Sequence, residues 1–129
     1  MNLYLSNAFS YVILIMVKRM YIKLAKNEVF VEEASTFWKR LKGFMFRLEP
    51  IESGLLFPHC RSVHTYFMFQ SIDVIMLDKN YRILYLFPSL GSERIIGPKK
   101  GVYYTLELPV GSCQDLKVGD RLEIEKQED

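Results

Sequence analysis

His64, Tyr66 and Met68 alternate through "SVHTYFMFQSIDVIMLD" (residues 62–78), a run otherwise dense in aromatic and branched aliphatic side chains. If the run is extended, these three share one face, because successive side chains of a strand point to opposite sides. That face is amphipathic, as at a pocket rim, while Val63, Thr65, Phe67 and Phe69 form the other, core-like face. With His59 and Cys60 just upstream, His64 and Met68 offer soft ligands of the kind that hold Cu(I) or Zn. On a strand rising ~3.3 Å per residue, however, positions 60, 64 and 68 are spaced in steps of about 13 Å, whereas a metal draws its ligands to ~2–2.3 Å. Only a sharp bend at Arg61 and Ser62 would bring His59 or Cys60 to His64, so no metal site is expected. A nucleophilic site would join Cys60 or Thr65 to His64 as base, with Asp73 orienting the imidazole. No Gly-rich turn able to stabilise an oxyanion flanks either nucleophile.

Three further polar residues stand in apolar company. Arg47 closes "GFMFR"; its planar guanidinium suits a carboxylate partner, Asp73 or Glu107, or an anionic ligand. Glu107 alternates with Leu106 and Leu108 in "TLELP", which predicts an exposed or rim position for it. Asp73 also has a structural reading, in which its carboxylate accepts backbone N–H bonds and fixes the turn after Gln70 and Ser71.

The elements that must carry these residues are mostly strands. "MYIKLAK" and "EVFVEEA" alternate with period two and read as a hairpin turning at Lys26 and Asn27. "VHTYFMF", "IDVIMLD", "RILYLF", "YYTLELP" and "DRLEIEK" are also strand-like, with a hairpin turn at "LDKNYR". In "ASTFWKRLKGFMFR" the period changes: Phe37, Leu41 and Phe44 fall at i, i+4, i+7. This predicts a short helix capped by Ser35 or Thr36 and terminated by Gly43. "EPIESGLLFPHC", with Pro50, Gly54 and Pro58, reads as a loop that dips into the core at "LLF". The expected fold is α+β: a mainly antiparallel, small barrel-like sheet with one short helix packed at an end.

The 129 residues suffice for one domain and one core, expected over residues 20–129. A net charge of +2 gives little general attraction to phosphate backbones, so nucleic acid would need a local basic patch. Lys18, Arg19, Lys23 and Lys26, or Lys39, Arg40, Lys42 and Arg47, are candidates, and a solvated surface is the preferred reading of both groups. Two cysteines, Cys60 and Cys113, are too few for a disulfide framework, and two reduced thiols in a cytoplasmic protein is the preferred reading.

Residues 1–19 are apolar but too short and too rich in Asn and Ser for a transmembrane helix. Their positive charge follows the apolar run, unlike a secretory signal. They read either as an extension or weak membrane-surface anchor, or as a misassigned start upstream of Met16 or Met20. The second is favoured, because strand alternation begins only at Met20.

Five blocks carry a wider pattern: "LKGFMFR" (41–47), "GLLF" (54–57), "VHTYFMFQSIDVIMLDKN" (63–80), "TLELPVGS" (105–112) and "LKVGDRL" (116–122). In order and spacing they resemble the prokaryotic family known as domain of unknown function 192. The resemblance departs at Phe44, Leu55 and Ser71, where members often carry Leu, Met and Pro. It implies a small β-rich domain with no established activity. The leading expectation is a non-catalytic ligand-binding or accessory module with a pocket bordered by Arg47, His64, Tyr66, Met68, Asp73 and Glu107. Its partner would be a small molecule or a protein, and no cofactor is implied. The first alternative is a small hydrolase or transferase using His64 with Asp73 and Cys60. The second is a weak RNA-binding module using sheet aromatics beside Lys39, Arg40 and Lys42, without any RNP-like pattern.

Overall fold

A computed structural model describes residues 19–34 and 43–127. Among these residues there are nine strands and no helix: β1 (Arg19–Lys23), β2 (Glu28–Glu33), β3 (Gly54–Pro58), β4 (Val63–His64), β5 (Ile72–Leu77), β6 (Ile83–Leu90), β7 (Ile95–Ile96), β8 (Tyr104–Pro109) and β9 (Glu123–Gln127). Seven form one sheet in the order β6-β5-β8-β3-β2-β1-β9, and β4 pairs with β7 in a separate ribbon. The sheet is mixed, because β2 and β3 run parallel while its other neighbours are antiparallel.

The expected barrel-like closure is not formed. Among the described residues the outermost strands, β6 and β9, do not pair with each other; only the residues just ahead of them, Arg82 and Arg121, form an isolated bridge. Beside it, the Ile83 N–H donates to the Asp120 carbonyl at 2.8 Å and the Leu122 N–H to the Tyr81 carbonyl at 2.9 Å. Beyond this corner both edges are built against pairing: β6 carries Pro88, which has no N–H to donate, and β9 carries the charges of "EIEKQ". The expected helix falls mostly on residues 35–42, outside the described part. Residues 43–46, which the helical reading included, form a turn, with Gly43 at φ +50° and Phe46 at φ +61°.

"GLLFP", read from sequence as part of a loop, is instead the central strand β3, hydrogen-bonded to β2 on one side and β8 on the other. Gly54 is required there. A Cβ on it would lie 2.6 Å from Leu108 Cδ2 and 2.9 Å from the Glu107 carbonyl oxygen. Gly54→Ala is therefore expected to cost about 2–3 kcal/mol, a typical penalty for overpacking a rigid site, measurable by urea unfolding.

β5 is buried at every position because both faces of this part of the sheet are covered. On one face Ile75, Leu77, Leu106 and Leu108 pack with Met20, Ile22, Val29 and Val31, so strands from both halves of the sheet curl around one cluster. On the other, Ile72, Val74 and Met76 pack under Phe44, Met68, Ile96 and Val102, which come from the turns and the β4–β7 ribbon. The candidate pocket lies in this second layer.

Candidate functional site

The floor of the pocket comes from β3 and β8. Phe57 pairs with Thr105, and Leu55 with Glu107, so Phe57, Thr105 and Glu107 share the face that carries Val74 of β5. Gly43, Phe44 and Met45 close one side; Cys60, Ser62, Val63 and His64 close another; Met68 completes the lining of a cavity of ≈ 70 Å³ open to solvent.

Hydrogen bonds fix the walls. The Thr105 hydroxyl donates to the Cys60 carbonyl at 2.9 Å, and the Cys60 thiol donates to the Ser62 carbonyl at 3.1 Å. Thr65 is fully buried; its hydroxyl donates to the Gly91 carbonyl at 2.6 Å and accepts the Arg94 N–H at 2.9 Å. These bonds end β4 after His64 and turn the chain sharply, so the expected seven-residue strand at "VHTYFMF" is only two residues long.

The turn corrects the sequence-based division of faces. Phe67 sits at φ +60° with its N–H donated to the Glu93 carboxylate at 2.9 Å. Phe67 and Phe69, expected in the core, are 56% and 60% exposed, while Met68, expected at the rim, is 4% exposed. Phe46 stacks on Phe67 with ring centroids 5.5 Å apart and meets Phe69 edge-on at 6.1 Å, forming an exposed aromatic ledge. Gln70 holds the preceding loop beside it, donating to the carbonyls of Arg47 at 3.0 Å and Glu49 at 2.6 Å and accepting the Ile51 N–H at 3.2 Å.

Of the six residues singled out from sequence, His64, Met68 and Glu107 line the cavity. Tyr66 lies outside it, its ring 5.5 Å from that of His64. Arg47 is not a lining residue; its guanidinium lies 5.8 Å from the ring centroid of Phe44, which is, and 4.0 Å from the Glu49 carboxylate. Asp73 pairs with Leu108 and therefore faces the opposite side of the sheet from Glu107. Its carboxylate accepts the Ser89 N–H and the Cys113 N–H, each at 2.8 Å. A catalytic set joining His64 and Cys60 to Asp73 does not assemble. Lys39, Arg40 and Lys42, invoked for RNA, lie outside the described residues.

Glu107 differs from every other group in the pocket. Expected at an exposed or rim position, it is instead buried, 4% exposed, because β5 beside it and the turns over it cover this face of β8, and its Oε2 has no hydrogen-bond partner among the described residues. Burial pushes its carboxyl up from the ordinary value to about 8, so it holds its proton at neutral pH. Cys113, on the Asp73 side, is pushed up to about 12, first by burial and then by the Asp73 carboxylate, which leaves it a poor nucleophile. Thr105 and Phe57 were not anticipated as lining residues. Thr105 carried a usable signal: it stands two positions from Glu107 on a strand and so shares its face. No group of three His, Cys, Asp or Glu side chains is placed to hold a metal ion among the described residues. No helix there is long and apolar enough to cross a membrane.

The family model DUF192, described as an uncharacterised ACR, matches residues 20–124. The chain belongs to the DUF192 family. A UPF0127 protein of Pyrococcus abyssi is 38% identical over 111 residues, covering 78% of this chain and 91% of that protein. A UPF0127 protein of Thermococcus sibiricus is 36% identical over 124 residues, covering 85% and 77%. Among solved structures, a protein of unknown function from Novosphingobium aromaticivorans shares the fold with a TM-score of 0.67 at 20% identity, covering 83% of this chain and 84% of its own. A putative transcription regulator from Sinorhizobium meliloti superposes with a TM-score of 0.68 at 25% identity, covering 83% and 92%. The DUF192 domain therefore spans nearly all of the described residues, pocket included.

Proposed function

We propose that this DUF192 domain is a non-catalytic ligand-binding module whose site is the pocket over Glu107. The observation that carries this reading is a buried carboxyl with an unpartnered oxygen in the wall of a cavity that opens to solvent. Leaving such a group without a hydrogen bond costs about 1–3 kcal/mol, which a ligand able to supply the bond would recover. The rest of the lining suits binding: apolar walls from Phe44, Phe57, Val63 and Met68, with few polar groups to set orientation. The ledge of Phe46, Phe67 and Phe69 follows directly in sequence from Met45 and brackets Met68, so it offers apolar surface for the part of a ligand left outside. Binding is favoured over catalysis because His64 has no orienting carboxylate in Asp73.

Crystals soaked with a library of small fragments test this. Fragments are expected in density between Met68, Phe57 and Glu107, and Ser62→Trp, which blocks the mouth from an exposed position, is expected to abolish them there. Fragments settling only elsewhere, for example in the groove between Lys23 and Arg121, would contradict the proposal.

A further inference from the structure

Resting on that reading of the pocket, we infer that the group it accepts is an organic cation, a primary ammonium on an apolar stem, that donates a hydrogen bond to Glu107. Three observations converge. The unpartnered oxygen of Glu107 is an acceptor when ionised, and an ammonium offers three donors. The walls around it are apolar and aromatic, and Phe44 already attracts one cation, the Arg47 guanidinium, 5.8 Å from its ring. The volume is the third. A cavity of about 150 Å³ holds benzene, so ≈ 70 Å³ admits an ammonium and the methylenes next to it but not a ring.

The charge balance favours the same ligand. Among the described residues the other ionisable side chains lining the pocket are His64 and Cys60; behind the lining, the Arg47 guanidinium lies 5.8 Å from the Phe44 ring centroid, and the Glu49 carboxylate 4.0 Å from it offsets its charge. A cation entering near Glu107 stabilises the carboxylate and draws off its proton, so binding strengthens as pH rises.

The test titrates the full chain with n-butylammonium chloride and with n-butanol, at constant ionic strength, following the Met68 methyl resonance by NMR. Butylammonium is expected to shift Met68 and to bind about tenfold more tightly near pH 9 than near pH 6, where an amine of ordinary pKa stays charged throughout. Glu107→Gln is expected to weaken butylammonium about tenfold and to leave butanol unaffected. The pH comparison uses the unaltered protein, so it decides the matter even if the variant misfolds. Equal binding of the two probes, indifferent to pH, would overturn the cation and leave the pocket standing as a site. Failure of both probes to move Met68 would overturn the pocket reading with it.

Discussion

Glu107→Gln is expected to raise the melting temperature in alkali and to leave it unchanged in acid. In the folded protein, burial holds the carboxyl protonated up to about 8, whereas in the unfolded chain it ionises near its ordinary value of 4.5. Between those limits the folded state binds more protons than the unfolded one, so stability falls as pH rises through that window. The penalty is absent below about 4.5 and complete above about 8, opposite in sign to a carboxylate held by a cationic partner. Glutamine keeps the shape and cannot ionise. The gain near pH 9 is about 2–4 kcal/mol, or about 10 °C in a domain of this size. Thermal unfolding of both proteins from about pH 4 to pH 9.5 checks it. A difference that does not vary with pH would contradict the buried, unpaired state of Glu107.

Asp73→Ala is expected to have the opposite and larger effect. Asp73 is 1% exposed and faces two positions, Pro88 and Ser89, across an irregularity between β5 and β6, where Ile72 pairs with Leu90 but Val74 with Phe87. The extra residue bends β6, and the carboxylate takes the Ser89 N–H that the ladder leaves over. Its second oxygen takes the Cys113 N–H and so ties down the turn after β8. Bonds to a charged acceptor are worth about 1.5–3 kcal/mol each, and truncation strands both donors, so a loss of about 3–5 kcal/mol is expected. Chemical denaturation measures the loss, and hydrogen exchange should show the amides of Ser89 in β6 and Cys113 after β8 losing protection before those of β5. Unchanged exchange at those two amides would refute the structural role.

These two carboxylates also show what the sequence conveys and what it hides. Alternation identifies β1, β2, β5, β8 and β9: β5 and β8 are buried on both faces over most of their length, β1 and β2 on one, and β9 shows it through Leu122 just ahead of it and the half-buried Ile124 between exposed charged neighbours. It even implies that Asp73 and Glu107 lie in extended segments. It does not say that Val74, not Asp73, stands opposite Glu107, since a register offset of one residue exchanges the faces. β3 was hidden by Gly54 and Pro58, which read as loop signals. Gly54 is needed where Leu108 and the backbone of β8 approach, and Pro58 stands at the strand's last position. The end of β4 was hidden for a different reason. The apparent strand pattern persists through "TYFMF" at 65–69, and the groups that force the turn, Gly91, Glu93 and Arg94, are more than two dozen residues away. His64, Met68 and Glu107 were recognisable as polar or soft residues in apolar surroundings; their convergence depends on that turn.

The most direct test of the account is the titration of the Glu107 side-chain carboxyl by carbon-13 NMR in the free protein. A midpoint of about 8 is predicted, as for a buried carboxyl with an unpartnered oxygen. A midpoint in the ordinary carboxylate range would mean that Glu107 is solvated or already paired, and the pocket would lose the feature on which its assignment rests.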